Sequence, residues 1–143
     1  GRRAITTSTD ETAIVWDLNT GEMAHRLTGH TRQVTSVAMT SDGRRAITTS
    51  TDETAIVWDL NTGEMAHRLT GHTRQVTSVA MTSDGRRAIT TGWDETGIVW
   101  DLDTGSNVLS IPRAGHAAAC CDKAVVAGGM FVAAYDMSGV FRS

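Results

Sequence analysis

A hydroxyl, an imidazole and a carboxylate return at fixed spacing along this chain: His30, Thr48 and Asp52, then His72, Thr90 and Asp94. That is the cast of nucleophilic catalysis, in which a carboxylate orients an imidazole that takes the proton of an attacking hydroxyl. Recurrence argues against it, because an active site needs to exist only once. Catalysis of this kind, by a hydrolase using the Thr/His/Asp set, is therefore the remote alternative. Other chemistry is sparser still. No Cys/His spacing resembles a zinc site. Gly128-Gly129 lacks both the spacing and the lysine of a phosphate loop. No catalytic residue, metal ligand or cofactor-binding residue is assigned.

The elements that must position these residues follow from a repeat. Residues 1–42 and 43–84 are identical, and the third copy matches at all but four of its first 21 positions, the exceptions being Gly92, Trp93, Gly97 and Asp103. Identity that extends to solvent-facing positions reflects recent duplication or design, since surfaces tolerate change. Within one unit Val34 to Met39 alternates and is β-branched, and Thr40-Ser41-Asp42-Gly43 is turn chemistry. Arg45 to Thr49, Thr54 to Trp58 and Met65 to Leu69 are three further strands, separated by polar turns. Four strands in 42 residues leave no room for a helix, and such a sheet must pack against its own copies.

Gly-His at Gly29-His30 and Gly71-His72, Trp-Asp at Trp58-Asp59 and Trp100-Asp101, an Asp six residues before each Trp and the 42-residue period together resemble a WD-repeat β-propeller. The expected fold is all-β: propeller blades of four antiparallel strands, about three and a half in this chain. The expected division is an incomplete blade at 1–28, blades at 29–70 and 71–112, and a degenerate last blade at 113–143 that keeps Gly115-His116 and has Tyr135-Asp136 for Trp-Asp. The resemblance implies buried networks His30–Thr48–Asp52–Trp58 and His72–Thr90–Asp94–Trp100, with the indole bonded to the hydroxyl, the hydroxyl to His and His to Asp. An indole N–H needs an acceptor when buried, and an isolated buried imidazole or carboxylate is costly, so the linkage satisfies all four groups.

Several side chains read as bland. His25 and His67 are expected as solvated residues of outermost strands. Met23, Met39, Met65 and Met81 are expected as gap-filling core. The pairs Arg2-Arg3, Arg44-Arg45 and Arg86-Arg87 read as solvated hairpin charge, and Cys120-Cys121 as packing in an inner strand.

Differences between copies mark the candidate binding site. The turn before the structural Asp carries Thr9, Thr51 and then Trp93. By the resemblance it shares a face with the loops Thr31-Arg32-Gln33 and Thr73-Arg74-Gln75, which become Pro112-Arg113-Ala114 in the last copy. That face presents Arg32, Gln33, Arg74, Gln75 and Trp93, of types that dominate interface hot spots. Two placements of Trp93 stay open: exposed for a partner, or folded over the last blade to close a gap left by Gly92 and Gly97.

Composition bounds the partner. Thirteen basic against sixteen acidic residues give a charge of −3, which argues against a nucleic-acid module. No apolar stretch approaches the ~18 residues of a membrane span. Two adjacent cysteines make no disulfide framework, so a cytoplasmic, reducing location is expected. The sequence opens at Gly1 without methionine, as a processed or excised piece does. What the resemblance implies is a non-catalytic scaffold or signalling sensor binding a protein or peptide. The alternative is a self-assembling repeat protein, natural or engineered, closing a ring with a second chain; missing N-terminal blades are the other way to complete it.

Overall fold

The computed structural model describes residues 2–114 in full and, beyond them, the backbone of three strands within 116–136. Every regular element described is a strand, in four antiparallel sheets. The first sheet runs β1 (Arg3–Thr7), β2 (Thr12–Asp17) and β3 (Met23–Thr28). The second runs β4 (Val34–Met39), β5 (Arg45–Ser50), β6 (Ala55–Asp59) and β7 (Glu64–Leu69). The third repeats it as β8 (Val76–Met81), β9 (Arg87–Gly92), β10 (Thr96–Asp101) and β11 (Ser106–Pro112). The fourth has β12 (His116–Cys120), β13 (Lys123–Gly128) and β14 (Phe131–Asp136); a fourth strand there would fall outside the described residues, as do the side chains of Cys120 and Cys121.

Turn chemistry makes the hairpins. Between β4 and β5 the Asp42 carboxylate accepts the Thr40 hydroxyl at 2.6 Å and the Arg44 N–H at 3.0 Å, and Gly43 takes a φ of +67° that a side chain would strain. One irregularity recurs. The pairing slips beside Trp16, Trp58 and Trp100, so that Val57 faces His67 while Trp58 faces Met65. Such a bulge raises local twist.

The core lies between sheets. Ala13, Val15 and Leu27 of the first sheet pack on Ala46, Ile56, Trp58 and Leu60 of the second. The next layer repeats this with Ala55, Val57 and Leu69 against Ala88, Ile98, Trp100 and Leu102. Each large apolar side chain so buried is worth about 1.5–3 kcal/mol relative to exposure. The second sheet thus has an Ala/Val/Leu face directed to the following copy and an Ala/Ile/Trp/Leu face directed to the preceding one.

Three expectations, about the methionines, the outer-strand histidines and the arginine pairs, are corrected by this stacking. Met23 and Met65 are 52% and 41% exposed; only Met39 and Met81 pack against the core. His25 and His67 are half-buried over the turn glycine of the following copy. A Cβ on Gly63 would stand 2.7 Å from His25 Nδ1, and His67 Nε2 lies 3.1 Å from the Asp103 carbonyl. The second arginine of each pair is engaged as well. Arg3 donates to the Gly43 carbonyl at 2.8 Å, Arg45 pairs with Asp103 at 2.7 Å, and Arg87 pairs with Asp101 at 3.0 Å.

The last copy also departs from expectation. Pro112 closes β11 opposite Thr96, as Thr28 closes β3 opposite Thr12. Two residues on, where the first copy has His30, stands Ala114, buried and donating its N–H to the Glu95 carbonyl at 2.9 Å. His116 already begins β12. In Pro112-Arg113-Ala114 the proline ends a strand, Pro112 and Arg113 are exposed and Ala114 is buried, and Gly115-His116 is not the positional counterpart of the earlier Gly-His pairs.

Candidate functional site

His30 lies between β3 and β4, Thr48 in β5, Asp52 in the β5–β6 turn and Trp58 in β6. Packing of the first sheet on the second brings the four together. The Trp58 indole donates to the Thr48 hydroxyl at 2.8 Å, which lies 2.8 Å from His30 Nε2, and His30 Nδ1 lies 2.9 Å from Asp52. The third copy repeats the chain through Trp100, Thr90, His72 and Asp94, with all three separations at 2.8 Å. Burial lowers the His30 pKa, against the opposing pull of Asp52, so the imidazole is neutral near pH 7. Neutral, it carries its proton on Nδ1, donates to Asp52 and accepts from Thr48 through Nε2. Burial pushes the Asp52 carboxyl up, but hydrogen bonds from the Thr54 hydroxyl, the Thr31 N–H and His30 outweigh it and hold the group below its usual value.

This geometry ties a turn to two sheets and keeps both hydroxyls away from solvent. Thr48 and Thr90 are fully buried, and each hydroxyl is held by an indole and an imidazole. Among the described residues no group of three His, Cys, Asp or Glu side chains converges as metal ligands do. In the first copy the set is open. Trp16 donates to Thr6 at 2.9 Å, and Asp10 faces solvent with Arg26 at 3.8 Å.

On the rim of the second and third sheets, Trp93 is 64% exposed. Its backbone N–H donates to the Gln75 carbonyl at 3.0 Å, as Thr51 does to Gln33. In the second copy the Ser50 hydroxyl also donates to the Gln33 carbonyl at 2.8 Å. Glycine replaces that serine at 92, and a Cβ there would stand 2.6 Å from the Gln75 oxygen, so the bare backbone lets the loop close in on the turn. Arg32, Thr51, Glu53, Arg74, Gln75 and Trp93 line a shallow depression of about 260 Å³. Gln33 is exposed beside it, its carbonyl spent on Thr51. Trp93 stands exposed on its turn. The space at Gly97 is taken by Ala114, whose Cβ would lie 3.0 Å from a Cβ at 97.

On the opposite rim, Arg44, Arg45 and Arg86 alternate with Asp42, Asp59, Asp84 and Asp103 around a cleft of about 410 Å³. The sequence places the arginine pairs beside Asp42 and Asp84 but does not show that Asp59 and Asp103 join them; the signal for the latter is that the Asn19 and Asn61 position becomes Asp103 in the third copy.

The profile of the WD domain, G-beta repeat, matches residues 21–59 and 63–101, together more than half of the chain. The chain belongs to the WD-repeat family. The solved structure of U3-55K superposes on it with a TM-score of 0.85 at 20% identity, covering 95% of this chain and 46% of that one. At that identity the likeness shows the fold alone: the four sheets are blades of a partial β-propeller. The chain spans less than half the length of that neighbour. No curated protein matches. Matches to 1237 solved chains show how widely the fold is used, so function has to be sought in the surfaces this chain presents.

Proposed function

We propose that this WD-repeat chain is a non-catalytic scaffold that captures a protein or peptide on the rim formed by Arg32, Gln33, Arg74, Gln75 and Trp93. WD repeats support a role in protein interaction in general. The observation that carries the specific site is the exposed Trp93 indole, held on a turn whose backbone is pinned to the Gln75 loop. A large apolar ring on a fixed backbone loses little entropy on binding, and the flanking guanidiniums add charge-assisted hydrogen bonds. One carboxylate, Glu53, faces two arginines across the depression, which favours an acidic segment with an apolar anchor. The buried threonines support the non-catalytic reading, and the adjacent cysteines a reducing, cytoplasmic setting.

The test is selection of peptides from a displayed library on the full chain, followed by titration of variants. Trp93→Ala and Arg74→Ala should each weaken the selected peptides at least about tenfold, the loss of a hot-spot residue, with unchanged thermal stability. Binders indifferent to both substitutions would place the site elsewhere.

A further inference from the structure

The rim opposite Trp93 carries charges that their own blades leave unmatched. Strand register sets an arginine across from the Asp of each Trp-Asp: Arg3 from Asp17, Arg45 from Asp59 and Arg87 from Asp101. The third blade closes that pair, with Arg87 lying 3.0 Å from Asp101 Oδ2. In the first two the arginine reaches into the next blade instead, Arg3 to the Gly43 carbonyl at 2.8 Å and Arg45 to Asp103 at 2.7 Å. Asp59 is nonetheless held as Asp101 is. Its Oδ1 accepts the N–H groups of Asn61 and Thr62 at 2.8 and 3.4 Å, against 2.9 and 3.2 Å from Asp103 and Thr104 to Asp101. Its Oδ2 closes no ion pair among the described residues, and Asp59 lines the cleft of about 410 Å³. Two more lining carboxylates, Asp42 and Asp84, spend Oδ1 on the Thr40 and Thr82 hydroxyls at 2.6 and 2.7 Å and close no ion pair either. Arg44 and Arg86 line the same cleft, exposed and likewise without an ion pair among the described residues. With Arg45 and Asp103 spent on each other, three carboxylates oppose two guanidiniums, so the open charge of the cleft is negative.

We propose that this cleft binds a partner segment through one arginine side chain, its guanidinium taking Asp59 as Arg87 takes Asp101, with Arg44 and Arg86 selecting acidic residues on either side of it. The third blade supplies the template, a guanidinium against the carboxylate at this same position. Arginine suits the place better than lysine, because its planar fork can reach Asp59 and a second oxygen at once. Arg44 and Arg86 repel a run of basic residues, so the partner carries an isolated arginine beside carboxylates and not a basic tract. This inference does not rest on the Trp93 rim.

The test titrates the full chain with a short end-blocked peptide bearing one arginine between two aspartates. It follows the amide resonances of Asn61 and Thr62, the groups that bond to Asp59. A saturable shift is expected there, and binding should weaken about fivefold in Asp59→Asn, the scale of one partly exposed ion pair. Asp17→Asn makes the same change at the identical position outside the cleft, and should leave binding as it is. Exchanging the arginine of the peptide for lysine, or its aspartates for arginines, should weaken binding as well. Absence of a saturable shift at Asn61 and Thr62 overturns the proposal. Undiminished binding by Asp59→Asn does the same, and so does an equal loss in Asp17→Asn, which would mark a response to net charge alone. An all-arginine peptide that binds more tightly than the mixed one overturns it too, by showing that basic tracts are favoured.

Discussion

Thr48 and Thr6 share their sequence neighbours and differ in what surrounds them, so the repeat supplies its own control. Thr48→Val strands the Trp58 N–H inside the protein and leaves His30 without a donor to Nε2, and should cost about 1–3 kcal/mol. Thr6→Val, at an exposed hydroxyl, should stay within about 0.5 kcal/mol. Urea denaturation of both variants decides it, and equal losses would mean that the buried chain adds nothing. The acid response belongs at this scale too. The His30 pKa is held below 6.5, so between that value and the lower folded one the unfolded chain binds more protons. Stability is therefore complete above 6.5 and drains as the pH falls below it. Asp52 and Asp94, lowered from 3.8, lose their contribution only below that value. The denaturation midpoint should fall as the pH drops below 6.5, and His30→Asn should flatten that response. A midpoint that rises on acidification would show an imidazolium paired with Asp52 instead.

At the scale of strands and blades, packing sets the energies. Leu60→Ala empties a site with no exposure and should cost about 2–5 kcal/mol, while Leu18→Ala at 55% exposure should stay near about 0.5 kcal/mol. Comparable losses would show that the first blade is covered in solution. Gly97→Ala restores the residue of the other copies but presses on Ala114, and should destabilise by about 1–3 kcal/mol through overpacking. The strands themselves were legible in the sequence, because alternation and turn residues act within a few positions. The buried chain was legible only through the family resemblance, since His30, in the connection between β3 and β4, lies 18 residues from Thr48 of β5. What could not be read was the offset of one blade on the next. It puts His25 over Gly63, reaches Arg3 to the Gly43 carbonyl and leaves Met23 in solvent. The last copy misled for a related reason: its Gly-His letters survive two residues beyond the position that the strand register assigns to them.

Across the whole molecule, three kinds of surface can be told apart. The buried interfaces are spent on neighbouring blades. The face of β1–β3 carries Leu18 exposed and Trp16 half-buried. The rim around Trp93 is the surface proposed for a partner. Charge on the opposite rim acts between blades: Arg45 and Asp103 are 42% and 48% exposed, so Asp103→Asn should change stability by no more than about 1 kcal/mol and remove what salt dependence the pair confers. The four indoles report on these surfaces separately, Trp58 and Trp100 inside the chain, Trp16 on the open face and Trp93 on the rim. The most direct measurement is therefore an NMR titration of the full chain with a selected peptide, following the four indole N–H resonances. Binding at the rim predicts a saturable shift of Trp93 while Trp58 and Trp100 hold still. A shift of Trp16 with Trp93 unmoved would contradict it and move the binding function to the open blade face.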